Sequence, residues 1–348
     1  MAALTSMINK ETLHLLRDFR TLTVVLIMPL VLLLLFGFAI STEVNDIRII
    51  AVVQRHDDTS RNLFEKLRAN PYFTFLGVVG FNEVEPALRR GDADAAVVQR
   101  SDNGKVSYQI IVDASNTATA QTSTEYIRNV LTGNAGRPVL THIMYNPQLR
   151  SAYNFVPGIM GMIFILICAM MTSVSIVSEK ETGTMNLLLV SPVRPRAIIL
   201  GKLVPYFVLS CLILSLMLTI AYTVLGLPLS PAVFNVIWIS LLYIILALAL
   251  GLLISTLAST QVTALLVSGV LLMLPVIMLS GMIFPIDNMP AALQAISYVI
   301  PARWYISAMR TLMIQQLPAS HVMTETAVLA AMTVTVLAVA IKKFNSRN

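Results

Sequence analysis

The chain has 348 residues, 56% of them hydrophobic and only 12% charged, where an ordinary soluble domain is roughly a quarter charged. That deficit excludes a wholly water-soluble protein and points to lipid as the solvent for most of the chain. The formal net charge of +6 gathers on one side of the expected membrane topology, which argues against nucleic acid as a partner.

The N-terminal stretch, residues 1–20, places Leu4, Ile8, Leu15, Leu16 and Phe19 on one face at helical spacing. Lys10, Glu11, Arg17, Asp18 and Arg20 fall on the other. This pattern predicts an interfacial helix lying on the membrane. Residues 21–40 are free of charge apart from the flanks and contain Pro29, giving a first span. The charged stretch before it is too long for a signal peptide and no small-residue cleavage site follows, so this helix is expected to be retained.

Residues 41–152 differ in texture and are numerous enough for a small domain. Arg48 to Val53 and Phe73 to Val79 read as strands, with helices at Thr59 to Ala69 and Val84 to Arg90. Ala95 to Val98 and Val106 to Val112 read as further strands joined through Asp102-Asn-Gly104, a hairpin signal. A helix from Thr117 to Leu131 leads back to the membrane. The expected fold is therefore a membrane α-helical protein with an inserted mixed α/β extracytoplasmic domain.

The second span is 153–177. From Leu203 to Ile286 no Asp, Glu, Lys or Arg occurs, far more than the roughly 20 apolar residues of one crossing. Breaks at Gly226 to Pro231 and at Ser255 to Gln261 divide this block into spans at 203–225, 232–255 and 262–284. A sixth span at 322–341 ends at Lys342 and Lys343, followed by a tail at 342–348.

Lys10, Arg17, Arg20, Lys180, Arg194, Arg196, Lys202, Lys342, Lys343 and Arg347 lie on segments that six spans place on one side. The excess of basic residues there predicts that both termini are cytoplasmic. Residues 41–152 carry 12 basic and 12 acidic residues, so the whole net charge faces inward and the inserted domain faces out.

No Gly-x-x-x-x-Gly-Lys-Ser/Thr run is present, so the chain brings no phosphate-cradling loop of its own. His14, His56, His142 and His321 are scattered without metal-ligand spacing. Cys168 and Cys211 sit in apolar runs, where packing accounts for them. No Gly-x-Ser-x-Gly elbow singles out a nucleophile, so no catalytic residue is assigned, and no charge lies deep in an expected span for an ion relay.

The most informative stretch follows the second span. Glu179, Lys180 and Glu181 end the apolar run, Gly183 permits a bend, and Met185 to Val190 reads as a short apolar helix stopped by Pro192 and Pro195. From the residues alone, this cytoplasmic loop at 178–202 either anchors in the interface or meets a partner.

The segment Glu179-Lys-Glu-Thr-Gly183-Thr184-Met-Asn186-Leu-Leu188-Leu-Val-Ser-Pro192 resembles the coupling loop of permease subunits in the ABC type-two transporter family. Asn186 stands where that family usually has Glu. The stretch from Leu279 through Gly281, Pro285, Pro290 and Pro301 to Arg310 is similar to the family's outer re-entrant segment, expected here at 285–318. Nearly the whole chain takes part in the resemblance, and the large inserted domain places it with drug and lipid exporters.

The resemblance implies that Glu179, Glu181, Gly183, Thr184, Asn186, Leu188 and Pro192 meet an ABC ATPase, present in two copies, which binds the ATP and Mg. It also implies a second permease chain, identical or a paralogue, in a bacterial inner membrane, with a periplasmic adaptor as a further candidate partner. The cargo expected on this reading is amphipathic or hydrophobic. An ion-coupled carrier working alone and an envelope-assembly component moving no cargo are the rival readings.

Overall fold

In a computed structural model, residues 2–39, 47–53, 58–70, 72–102, 105–112, 117–132, 151–185, 195–284, 286 and 289–347 are described. The chain forms two compact units, one of residues 1–40 with 151–348 and one of 41–150. Helix α1 spans Ala2–Arg17 and α2 spans Phe19–Ala39. Between them, the Asp18 carboxylate accepts the Thr21 N–H at 3.2 Å, satisfying one of the amides that the start of a helix leaves open.

The inserted unit runs β1 Ile47–Val53, α3 Asp58–Ala69, β2 Phe73–Val78, α4 Phe81–Arg89, β3 Ala95–Asp102, β4 Lys105–Val112 and α5 Thr117–Thr132. Its sheet has the order β2-β1-β3-β4. β1 lies parallel to both β2 and β3, while β3 and β4 form an antiparallel hairpin in which Asp102 pairs with Lys105. Alternation along the strands feeds two cores, as the pleat requires. Ile47, Ile49, Ala95 and Val97 pack with Leu67 of α3 and Ile127 of α5; Ile50, Val52, Ala96 and Val98 pack with Val84 of α4. Arg48 grips Asp94 with two parallel hydrogen bonds of 3.1 and 2.9 Å, fixing the start of β1 against the turn into β3.

The chain then continues through α6 Ser151–Glu181, α7 Pro195–Thr223 and α8 Val233–Leu257. Helix α9, Gln261–Leu279, contains a π turn at Val267–Leu271. Short helices α10 Ala291–Ser297 and α11 Pro301–Met309 precede α12, Met323–Arg347. Among the described residues, six helical segments are long and apolar enough to cross a membrane: Phe19–Phe38, Phe155–Glu181, Ala197–Thr223, Val233–Leu257, Gln261–Leu279 and Ala319–Phe344.

Helix α8 packs between α6 and α12. The approach to α6 is close because Gly251 has no side chain: a Cβ there would lie 2.5 Å from the Ala169 carbonyl oxygen. Between spanning helices, where lipid removes any hydrophobic drive to associate, such small residues permit backbone packing. Hydroxyls along the spans return to their own helix, as with Ser240 to the Val236 carbonyl at 2.7 Å and Thr333 to Leu329 at 2.7 Å.

Four span boundaries differ from the sequence expectation by four residues or more, the first being α6, which runs on to Glu181 instead of ending at 177. Helix α7 begins eight residues before position 203, so Lys202 lies inside a spanning segment rather than at its edge. Helix α9 stops at Leu279 instead of reaching 284, because Gly281 takes a left-handed φ of 79° that an L side chain would resist. Helix α12 runs on to Arg347 after a 3-10 turn at Ala319–Val322.

The inward face of α1 also differs. Met7 and Glu11 are the buried residues, with Leu4, Ile8 and Leu15 half-buried beside them, whereas Leu16 and Phe19 stay exposed. The 4-7-8-11-15 spacing is a good helical face. The expectation placed Glu11 on the water side; it turns inward because a buried lysine waits for it on α7.

Candidate functional site

The last residues of α6 form the joint of the membrane unit. Glu179, Lys180 and Glu181 are consecutive, so their side chains leave the helix in three directions, about 100° apart. Each finds a different helix. Glu179 Oε1 accepts from Lys202 Nζ of α7 at 3.2 Å and from Lys10 Nζ of α1 at 3.0 Å. Lys180 Nζ donates to the Ser255 carbonyl near the end of α8 at 2.6 Å. Glu181 Oε2 accepts the backbone N–H of Gln261, the first residue of α9, at 3.0 Å, where a helix N-terminus favours a carboxylate.

Lys202 is the centre of this joint. Its side chain is 2% exposed and also meets Glu11 Oε1 at 3.0 Å, a carboxylate 5% exposed. A third donor reaches Ser175 Oγ at 3.2 Å. A buried ammonium is tolerated only when its donors are all used and its charge is answered, and Lys202 satisfies both conditions with groups from α1 and α6. Gly201 supplies the space, since a Cβ there would come 2.8 Å from Met7 Cβ.

Lys10 stands at the rim. Burial alone lowers its pKa, but the Glu179 hydrogen bond and the Glu179 and Glu11 charges outweigh that and raise it above the usual 10.5. The Asp18 carboxyl is held below its ordinary value by the hydroxyl and N–H of Thr21.

Beyond the joint the helix is capped. Gly183 has φ 77°, the left-handed turn that ends many helices. The Thr182 hydroxyl returns to the Ser178 carbonyl at 2.8 Å, and the Thr184 hydroxyl to that of Glu179 at 3.2 Å. Thr182, Gly183 and Thr184 are exposed. Met185 then turns in, buried against Ile176, Ile199, Leu252 and Phe344. Asn186, Leu188 and Pro192, with the short helix expected to end at Val190, lie outside the described residues.

The structure thus places Glu179 in the buried ion-pair network with Lys202, Lys10 and Glu11, ties the exposed Glu181 separately to the start of α9, and leaves Gly183 and Thr184 exposed. Sequence reasoning missed Lys202, Glu11 and Lys10 as members of the site. The available signal was Gly201-Lys202 at the start of a long apolar run, with Glu11 on the side of α1 that also carries Met7 and Leu15.

At the far end of the bundle, Gly281 ends α9, Pro290 caps α10 and Pro301 opens α11; Pro285 and Asp287 lie outside the described residues. The Tyr305 hydroxyl pairs with Ser240 Oγ at 3.0 Å, and the Tyr243 hydroxyl donates to the Gly161 carbonyl at 2.9 Å, with the two rings stacked 4.3 Å apart. These bonds hold α11 against α6 and α8. Arg303 rests on the Tyr298 ring at 3.8 Å and donates to Ser297 Oγ, while Arg310 reaches the Met282 carbonyl at 3.5 Å. Met160 and Met162 are buried in the core and Met282 packs over Gly158, so helix packing accounts for those methionines. Among the described residues no group of three His, Cys, Asp or Glu is placed to hold a metal.

Six spans, an N-terminal helix locked to the end of the second span, and broken helices before the last one define a polytopic membrane permease. The model of the family described as "ABC-2 family transporter protein" matches residues 19–342, and the chain belongs to that family. It is 29% identical over 324 residues to the probable multidrug ABC transporter permease YbhS of Escherichia coli K12, covering 87% of this chain and 86% of that protein. It is 27% identical over 319 residues to the probable multidrug ABC transporter permease YbhR of the same strain, 86% of each chain. A shorter match, 27% over 188 residues, covers 53% of this chain and 26% of ABC transporter G family member 23 of Dictyostelium discoideum.

Proposed function

We propose that this chain is the membrane-spanning subunit of an ATP-driven exporter, moving an amphipathic or hydrophobic substrate out of the cytoplasm or the inner leaflet. Two copies of a separate ABC ATPase bind the ATP and Mg, and a second permease chain completes the pathway. Both termini and the joint face the cytoplasm of a bacterial inner membrane, as the basic residues around the joint favour.

The observation that carries this reading is the end of α6. One short stretch fastens α1, α7, α8 and α9, and immediately after it come exposed residues 182–184. A push on that surface reaches four helices through charged and hydrogen-bonded links rather than through a soft loop. Gly183, Thr184, Asn186, Leu188 and Pro192 present the docking stretch, whereas Glu179 and Glu181 carry its movement into the bundle.

The second permease chain meets this one through α2 and α9. Only 22% of the α2 window, 17% of the α9 window and 17% of the window of the last span is buried by the chain's own helices, which leaves α2 and α9 open to a partner along with the last span. ATP-driven closure of the ATPases then moves the first, second and fifth spans as rigid bodies.

The test is hydrolysis and transport in proteoliposomes. The chain alone is expected to show no ATPase activity and to transport only with the partner ATPase and ATP. Gly183→Glu with Leu188→Glu is expected to abolish coupled transport while membrane insertion is retained. Transport unaffected by that variant removes the docking role.

A further inference from the structure

Helix α1 is packed on one side only. Met7 and Glu11 are buried against the bundle, while the far flank holds a groove of about 760 Å³ along Ser6, Asn9, Lys10, Leu13 and Arg17, reaching Asp18. Leu13, Leu16 and Phe19 follow one another at every third position and are 45%, 56% and 73% exposed. Phe19 opens the spanning segment Phe19–Phe38, so these side chains stand where the hydrocarbon of a bilayer meets its headgroups. Large apolar groups at that level enter lipid.

The charged groups of this flank are mainly basic. Arg17 lines the groove, is exposed, and forms no ion pair or hydrogen bond among the described residues. Arg20 is exposed as well, and its charge acts on the Asp18 carboxylate, which Thr21 already holds. Asp18 is the groove's single acid. Lys10, at the groove's edge, is taken up by Glu179. Counting His14 as uncharged, Lys10, Arg17, Arg20 and Lys202 outnumber Glu11, Asp18 and Glu179 by one. That excess rests on Arg17, whose planar fork of donors fits the paired oxygens of a phosphate.

We infer that this flank is a binding site for an anionic membrane phospholipid on the joint's side of the bilayer. The phosphate takes the donors of Arg17, with Arg20 beside it, and the acyl chains lie against Leu13, Leu16 and Phe19. The excess positive charge favours an anionic headgroup over a zwitterionic one. The lipid braces α1 from outside, where Lys202 and Glu11 hold it from within. This goes beyond the exporter reading and does not rest on it, since the lipid here is neither cargo nor part of the motor.

The test counts the lipids that stay with the full chain. The chain is reconstituted in nanodiscs of equal phosphatidylglycerol and phosphatidylcholine and extracted in mild detergent, and bound lipids are read by native mass spectrometry. The wild type is expected to retain phosphatidylglycerol in preference to phosphatidylcholine. Arg17→Gln with Arg20→Gln is expected to lower the retained phosphatidylglycerol by about fivefold for each arginine and to leave phosphatidylcholine unchanged. Lys342→Gln with Lys343→Gln removes as much charge from the end of α12 and is expected to leave the preference as it was.

Leu16→Ser with Phe19→Ser keeps every charge and is expected to lower retention by about fivefold or more through lost apolar contact, so the result does not depend on the arginine variant alone. No preference in the wild type, wild-type retention in either α1 variant, or an equal loss in the α12 variant overturns the inference. The rival occupant of this flank is the ATPase: α1 variants that keep their lipid and lose ATPase binding assign the flank to that protein instead. Any of these failures leaves the exporter reading standing, because that reading fails only on transport.

Discussion

Replacing Lys202 with Met keeps the length of the side chain and deletes an ammonium group that is 2% exposed. Glu11 and Glu179, 5% and 13% exposed, are then left facing each other with only the rim residue Lys10 between them. Removing one partner of a buried ion pair costs about 3–5 kcal/mol, and the remaining Lys10 contact puts the expected loss near the lower end. Helix α1 has Met7 and Glu11 as its buried face, so the loss falls on its docking against α7. About 3 kcal/mol corresponds to a rise of roughly 100-fold in the undocked population, at 1.36 kcal/mol per tenfold. Hydrogen exchange by mass spectrometry in nanodiscs reads this directly as faster exchange across residues 4–15, with α8 as the internal reference. The double variant Lys202→Met with Glu11→Leu removes both charges and restores most of the protection, since a buried pair replaced by apolar groups is often neutral. Exchange in α1 that stays within about threefold of wild type, under roughly 0.7 kcal/mol, refutes the assignment of Lys202 as the centre of the joint.

Other outcomes follow from the same geometry. Gly251→Ala sets a methyl 2.5 Å from the Ala169 carbonyl oxygen and 2.8 Å from Thr172 Cβ, with α6 backbone on one side and no flexible end to yield. A loss of about 1–3 kcal/mol is expected, as for other overpacking changes, seen as a lower thermal unfolding midpoint by thiol-reactive dye. Tyr305→Phe deletes a hydroxyl 3.0 Å from Ser240 Oγ, while Ser240 keeps its bond to Val236; the expected cost is about 1 kcal/mol in the same assay. Because the folded-state pKa of Lys10 is raised, its contribution to α1 docking is fully present below 10.5 and is lost as pH rises through the folded value. Proteolysis of α1 is therefore expected to stay flat through neutral pH and increase only in strong alkali, and the rise to vanish in Lys10→Met.

Much of the fold was legible because its cause is local. The apolar blocks, the Gly226 to Pro231 break and the short β-branched run of Ile47–Val53 each announce their element through spacing and composition. The Asp102-Asn-Gly104 signal likewise falls between two strands that pair from Asp102 to Lys105. The joint was half legible. Three charges ending an apolar run marked where the second span stops, and Gly183 marked a turn, but nothing local says where a side chain of α6 will find its partner.

Lys202 shows why. In the sequence it reads as the flank of a span, because charges usually stand at membrane borders. Its inclusion in α7 depends on Glu11, separated by 191 positions, and on Gly201 admitting Met7. Helical spacing puts Glu11, four residues after Met7 and four before Leu15, on the inward stripe; sorting by polarity instead of by angle assigns it to the other face.

The central claim is that this chain is a permease moved by a separate ATPase, and ATP-driven transport in proteoliposomes tests it most directly. The purified chain is reconstituted with and without its ATPase, and accumulation of an amphipathic dye is followed with ATP or with a proton gradient as the driving force. The account predicts transport only when both ATPase and ATP are present. Transport by the chain alone on a proton gradient, or ATP hydrolysis by the chain alone, contradicts it.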